Sequence, residues 1–573
     1  MPRTSSIRLG KAVRTALSRP NVLTTLSAGF VTAGIAVAPA AARAQSTFPP
    51  VLELASLAPG FGGDGSTGFI IQGVDEYDWT GISVRGAGDV NGDGLDDVVI
   101  GAPISSSGGQ AYVLFGRAAG FPPVVALRSL YPDAGGDGSR GFVIGEAVGN
   151  LGRSVDGTGD FNGDGIDDLV IGNDNAVDFG GETYVVFGRT TGFPPLFDIG
   201  SLYPTNGGDG STGFILRGIS NYDSSGFAVA NAGDVNDDGI DDLLIGAAGA
   251  GEGRNGSGEA YVVYGRATGF PALLKLRMLM PASGGDGSDG FILRGRTDDS
   301  LAGISVSDAG DVNNDGIDDL LVGASRADPP DYHSAGESYL VFGRSAGFPP
   351  VFDLESLLPG SGGDGTQGSV VRGYHRSDRV GYSVGSAGDL NGDGVADVFI
   401  GSDPGNDFSE TYVVFGRSGD DFPATFELRS LNPADGGDGS AGFILRGFRA
   451  DTHSGRGAGD VNGDGIADLI VGADTATPQD RDNAGKSYVI FGRTTGFPAA
   501  FPLANLYPNA GGDGGEGFVL MGIRPQDGSG SAVSGAGDVN GDGIDDLIIG
   551  APEVFNSGPG ECYVLFGRGD AKR

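Results

Sequence analysis

Apolar residues along most of this chain come in short runs rich in Val, Ile, Leu, Phe and Tyr, each closed by Gly or Asp. Short β-branched and aromatic runs bounded by turn residues are strand chemistry, and helical spacing is nearly absent. Four kinds of run recur in order. The first is Gly-x-Ser-Val (Gly81 to Val84, Gly303 to Val306, Gly381 to Val384), and the second is Asp-Leu-Leu-Ile-Gly (Asp242 to Gly246). Tyr-Val-Val-Phe-Gly-Arg (Tyr184 to Arg189) comes third, and Gly-Phe-Ile-Leu-Arg-Gly (Gly290 to Gly295) fourth. The second run lacks polar alternation, which fits a strand buried on both faces.

The cleanest mark of the period is Asp-x-Asn-x-Asp-Gly-x-x-Asp, beginning at Asp89, Asp160, Asp234, Asp311, Asp389, Asp460 and Asp538. Seven four-stranded units in tandem predict an all-β fold, a seven-bladed β-propeller of four-stranded blades. An open β-solenoid is the other repeat architecture considered, but its calcium-type repeats are far shorter than this period. The phase of the chain implies closure. It begins with fourth-strand material, Gly68 to Gly73, and ends after a third strand, Tyr563 to Gly567, so the two ends complete one shared blade.

Residues 1–44 carry six bases and no acid, then an apolar stretch from Val22 to Val37 and a small-residue site at Ala42-Arg43-Ala44. This reads as a Sec-type signal peptide, with the propeller over 45–573, and predicts a secreted, periplasmic or cell-surface protein. Removing those six bases takes the net charge from −38 to −44, with no later stretch apolar enough to span a bilayer. Nucleic acid is a poor partner for such a surface. A single cysteine and three scattered histidines exclude a disulfide scaffold and make multi-cysteine or histidine metal chemistry a poor fit.

The acidic nonapeptide carries the chemistry. Calcium takes several hard oxygen ligands, and side chains at positions one, three, five and nine, with the carbonyl at seven, can wrap an ion. The expected ligands are Asp89, Asn91, Asp93, Leu95 and Asp97 in the first loop, and Asp160, Asn162, Asp164, Ile166 and Asp168 in the second. They are Asp234, Asn236, Asp238, Ile240 and Asp242 in the third, and Asp311, Asn313, Asp315, Ile317 and Asp319 in the fourth. The fifth has Asp389, Asn391, Asp393, Val395 and Asp397, and the sixth Asp460, Asn462, Asp464, Ile466 and Asp468. Asp538, Asn540, Asp542, Ile544 and Asp546 complete the set. Up to seven Ca2+ ions, one per blade, are expected, with position seven plugged into the blade core and position eight, as at Asp96, facing away. An ion-free Asp/Asn-Gly turn is the plainer alternative. Position twelve is Ile100 or Ile171, inside a strand, where an EF-hand would place Glu and continue as helix.

On these residues the chain resembles the FG-GAP repeat family, the propeller of integrin alpha chains and of many bacterial exported proteins. The resemblance implies that each loop joins the first and second strands of a blade and holds calcium on one rim. The literal Gly-Ala-Pro survives at Gly101 to Pro103 and Gly550 to Pro552, and the sixth copy departs most, with Thr452 and Gly455. Integrin partners do not carry over, since inserted adhesion, stalk and membrane-spanning segments are missing.

Other motifs read as repeat positions. Gly63 to Gly68 fits a dinucleotide pattern but precedes a strand, and Gly343 to Gly347 and Gly381 to Gly385 fit a nucleophile elbow without a following helix. Arg568-Gly569-Asp570 follows from the repeated Phe-Gly-Arg. Asn255-Gly256-Ser257 is a sequon, Cys562 reads as a small core residue, and Trp79 is expected in an exposed loop. The expectation is a monomeric, non-enzymatic binding or adhesion module with structural calcium and an extracellular or cell-surface protein or glycan partner. The alternatives are an enzyme on an extracellular polymer, a polysaccharide lyase or phospholipase-like hydrolase, or an architectural surface protein. Asp331, Tyr332 and His333, with Tyr374, His375 and Arg376, are the symmetry-breaking candidates for an enzyme.

Overall fold

Each blade starts at the propeller axis. In the first, Ser83–Gly88 pairs antiparallel with Asp97–Ala102, which pairs with Gln110–Leu114, which pairs with Gly141–Gly145. The computed structural model describes residues 48–105, 108–145, 148–251, 256–330, 332–403, 410–419, 422–447, 454–553 and 558–569. The predicted leader, residues 1–44, lies outside them. Seven such sheets form the ring, and their inner strands pack on one another in sequence, with Ser83–Gly88 returning against Ala532–Gly537. No helix among the described residues is long and apolar enough to cross a membrane.

The expected four strands per blade become five. Each repeat carries an insert before its fourth strand, beginning Gly192-Phe193-Pro194-Pro195 in the second blade, and Leu196–Asp198 within that insert pairs parallel with Gly141–Gly145 at the edge of the first. The chain then returns through two single-turn 3-10 segments, Ile199–Leu202 and Pro204–Asn206, to form the fourth strand of its own blade, Gly213–Arg217. Proline suits the start of such a turn because its missing N–H has no partner there anyway. Every insert does the same, so each blade's outer edge is covered by its successor and little free strand edge remains to template association.

Closure uses two N-terminal strands. Gly68–Gln72 completes the seventh blade beside Glu561–Leu565, as the phase of the sequence predicted. Val51–Glu53 covers the edge of the sixth blade at Gly517–Met521. The sixth copy makes a complete five-stranded sheet despite its departures, while Thr452 lies outside the described residues.

Apolar packing lies between blades. The second strands are buried along their whole length, and the seven tyrosines of the third strands, Tyr112 to Tyr563, are fully buried. Seven apolar clusters result, such as that joining Val99 and Val113 of the first blade to Leu169 and Tyr184 of the second.

Candidate metal loops and the axial cavity

Each inner strand ends in a β-bulge that aims the chain into the acidic loop. The register shifts between Gly86 and Gly88, and Gly88 takes φ 69°, left-handed space that a side chain resists. Asp89 then folds the loop back on itself: its Oδ1 accepts from Asp93 N at 2.9 Å and its Oδ2 from Gly94 N at 2.7 Å. Asp93 Oδ1 accepts from Leu95 N at 3.1 Å. Gly94, at φ 90°, has open space where a Cβ would stand, so backbone conformation alone demands glycine there. The two bonds to position one recur in all seven loops.

Position nine is the electrostatic centre. Asp97, Asp168, Asp242, Asp319, Asp397, Asp468 and Asp546 are all 0% exposed. Each accepts from the glycine N–H of its blade's Phe-Gly-Arg or Tyr-Gly-Arg segment, as from Gly116 N to Asp97 at 2.9 Å. Burial pushes the carboxyls of Asp97, Asp168, Asp397 and Asp546 up to about 8, and Asp242, Asp319 and Asp468 also lie well above the usual range. Backbone N–H groups partly oppose this, while the carboxylates at positions one and five add to it.

These oxygens suit a hard divalent cation in kind and number, and carboxylates that accept N–H bonds keep lone pairs for an ion. The side chains are spread along the turn, however, and among the described residues no three acidic, histidine or cysteine side chains converge as a ready cage. The asparagines also differ. Asn91 directs its amide nitrogen at Asp97; Asn391 and Asn462 do the same toward Asp397 and Asp468 while also accepting the position-five N–H through Oδ1, as Asn313 does.

One expectation gains a partner and one needs correction. Position eight faces away from its own loop and into its neighbour: Asp96 Oδ2 accepts from Asp538 N at 2.7 Å, in the loop of the preceding blade. Asp167, Asp241, Asp318 and Asp545 make the same clamp to Asp89, Asp160, Asp234 and Asp460, and Ala396 and Ala467 stand at the two positions without it. Position seven does not plug the blade core. Leu95 is half-buried and leans over the preceding loop, where a Cβ on Gly541 would come within 2.9 Å of its Cδ2; Val395 is the buried exception.

The sequence reading missed a charged layer across the axis. Arg456 reaches Asp308 at 2.9 Å and Asp156 at 3.4 Å, tying the sixth, fourth and second blades together. Arg85 of the first blade stands 3.8 Å from Asp156. Aligning the inner strands gives the missing signal, since Arg85 and Arg456 occupy a position filled by Ala230, Ser307, Gly385 and Ser534 in other copies.

The enzyme candidates meet only partly. His333 carbonyl accepts from Ser377 N at 3.0 Å, which brings the two loops side by side, and Asp331 lies outside the described residues. Ser334 Oγ and Asp328 Oδ1 both approach the same nitrogen of His333, Nδ1, at 2.9 and 3.7 Å. A triad needs its acid and hydroxyl on opposite ring nitrogens. Tyr332 packs against an apolar cluster, and buried Tyr374 donates to Glu410 at 2.8 Å with the His375 ring tilted against its own at 4.0 Å. Arg376 is exposed.

The remaining motifs behave as repeat positions. Asp64 accepts from both the N–H and the hydroxyl of Ser66 in a turn before a strand. Arg568 lies over Phe48 at 5.0 Å, as Arg189 lies over Phe193; Asp570 and Asn255 lie outside the described residues. Cys562 is a free, buried thiol, and Trp79 is half-buried.

A family model described as FG-GAP repeat matches residues 81–114, 151–186, 225–263, 304–341, 457–490 and 529–565. It takes in the sixth copy, which looked weakest in sequence, and passes over the fifth. Integrin alpha pat-2 of Caenorhabditis elegans is 29% identical over 228 residues, 39% of this chain and 17% of that protein. Integrin alpha-4 of Xenopus laevis is 30% identical over 167 residues, 28% of this chain and 14% of that protein. Phosphatidylinositol-glycan-specific phospholipase D of Bos taurus is 37% identical over 111 residues, 19% of this chain and 12% of that protein. The chain thus spans less than a fifth of the length of these relatives.

Proposed function

The chain is an FG-GAP repeat protein with an integrin alpha-like propeller, and on that premise we propose that it is an exported binding module whose seven acidic loops hold structural calcium. The observation that carries the calcium reading is the sevenfold repetition of a fully buried position-nine aspartate beneath a turn whose position-one and position-five carboxylates stand in the same loop. A bound divalent ion would neutralise the carboxylates of positions one, five and nine together, with the position-three amide and position-seven carbonyl completing the oxygen set. The loops then serve as fasteners, and recognition falls to other surfaces. A binding role is supported by similarity to integrin alpha chains, and export by the basic, apolar, small-residue order of residues 1–44.

The test is capture of partners from cell-surface and extracellular polymer extracts on the immobilised protein, in calcium and again in chelator. Calcium-dependent retention of a defined protein or glycan is the expected result. A folded protein that retains nothing in either condition contradicts the binding role. The second reading, an enzyme acting on an extracellular polymer, draws on the similarity to phospholipase D; release of soluble product from the same extracts would favour it.

A further inference from the structure

The charged layer divides the axial cavity. On the acidic-loop side a space of about 420 Å³ is lined by the ends of the inner strands. On the far side an opening of about 490 Å³ is lined by their beginnings, and Arg85 borders both. The larger opening is of ligand-pocket size. Seven copies of one repeat would give it a ring of like residues, yet its mouth holds Arg153, Phe227 and Tyr382 at equivalent positions.

Its floor holds an under-used cation. Arg456 Nη2 meets two carboxylates, whereas Arg85 donates from one terminal nitrogen to its own neighbour's carbonyl, Val84 O, at 2.9 Å. Among the described residues the buried Arg85 Nε has no hydrogen-bond acceptor, and Asp156 Oδ2, which faces it at 3.8 Å and Arg456 at 3.4 Å, accepts no hydrogen bond from either. A buried guanidinium with unspent donors favours a planar anion that takes two of them at once. The mouth supplies ring faces. Tyr382 is 45% exposed, and the Arg153 guanidinium lies 4.8 Å over Phe227. Serine hydroxyls at the strand starts, Ser83, Ser154, Ser383, Ser454 and Ser531, line the wall between. Asp474 is the one acid among the described residues that borders the opening, against the two cations Arg85 and Arg153, within a chain of net charge −38.

We propose that this far half of the axial cavity binds a carboxylate-bearing sugar ring, with Arg85 holding the carboxylate, Tyr382 and Phe227 covering the ring faces and the serines meeting its hydroxyls. The inference rests on the binding-module reading and supplies its ligand class; it does not depend on calcium in the loops.

The test is isothermal titration of the full-length protein with D-glucuronate, D-glucose and acetate. Glucuronate is expected to bind at least tenfold more tightly than either fragment, and Arg85→Gln to weaken it at least fivefold. Because Arg85→Gln removes a charge beside buried Asp156, the exposed Tyr382→Ala is the second variant, with an equal expected loss and an unchanged melting curve. Glucuronate binding no tighter than acetate, or unaltered in both variants, overturns the proposal. Partner capture that persists in both variants, with no glucuronate binding by the parent protein, overturns this inference while the binding-module reading stands.

Discussion

The ring of Phe399 fills the space that a side chain at position 455 would take: a Cβ on Gly455 would stand 2.3 Å from two of its carbons. Other blades place Val at the position of Gly455 and Val, Leu or Ile at that of Phe399. The fifth and sixth blades thus exchange volume across their interface, and what looked in sequence like a defect of one blade is half of a matched pair.

Gly455→Val should therefore destabilise the protein by about 1–3 kcal/mol through overpacking, and Phe399→Val by a similar amount through the space it leaves. The double variant should recover at least about 1 kcal/mol of the summed loss. Urea unfolding of the four proteins measures the coupling; strictly additive losses would contradict the pairing.

Arg456 braces three blades from inside the ring. Arg456→Met leaves buried Asp156 and half-buried Asp308 without their strongest partner and should cost about 3–5 kcal/mol. Combining it with Asp156→Asn and Asp308→Asn should restore most of that loss, because the penalty lies in the unpaired charges. A single variant as stable as the parent in thermal unfolding would show that the brace is ornamental.

Asp96 links the first and seventh loops through one charge-assisted hydrogen bond. Asp96→Ala should lower stability by about 1–3 kcal/mol, with increased amide exchange at Asp538, the donor it abandons. No change at that amide would contradict the clamp.

Asp527 gives a pH dependence of definite sign. Its carboxyl is 1% exposed, one oxygen accepts from Arg524 N at 2.8 Å, and the other has no partner. Burial, reinforced by Glu553 and Glu561, pushes it up to about 7. The folded state therefore favours the protonated form, and the stability this group contributes, present below about pH 4, is lost as pH rises through about 7. Asp527→Asn should gain on the parent by about 1–3 kcal/mol between pH 5 and pH 8. Parallel stability curves for the two proteins would refute this.

Much of the architecture was legible because it is written seven times. The spacing of the acidic nonapeptide gave the blade count, and the phase from Gly68 to Tyr563 gave the closing blade. The fifth strands were not legible. Three residues such as Leu196–Asp198 carry too short a pattern, and their partner belongs to another blade. Position seven was misjudged, and the partner of position eight was not foreseen, for the same reason, since Leu95 and Asp96 act on the preceding blade and a single repeat viewed alone has no neighbour. The axial layer was hidden differently: Arg85, Asp156, Asp308 and Arg456 are unremarkable singly and become a cluster only once the ring closes.

The central claim is that calcium fastens the seven loops. Thermal unfolding of the protein in excess calcium and in excess chelator tests it most directly. Each site held at a hundred times its dissociation constant adds about 2.7 kcal/mol by mass action, so several occupied loops should raise the unfolding temperature strongly, and Asp93→Ala with Asp97→Ala should remove part of that rise. An unfolding curve that is the same in calcium and in chelator would contradict the claim and leave the acidic loops as ion-free turns.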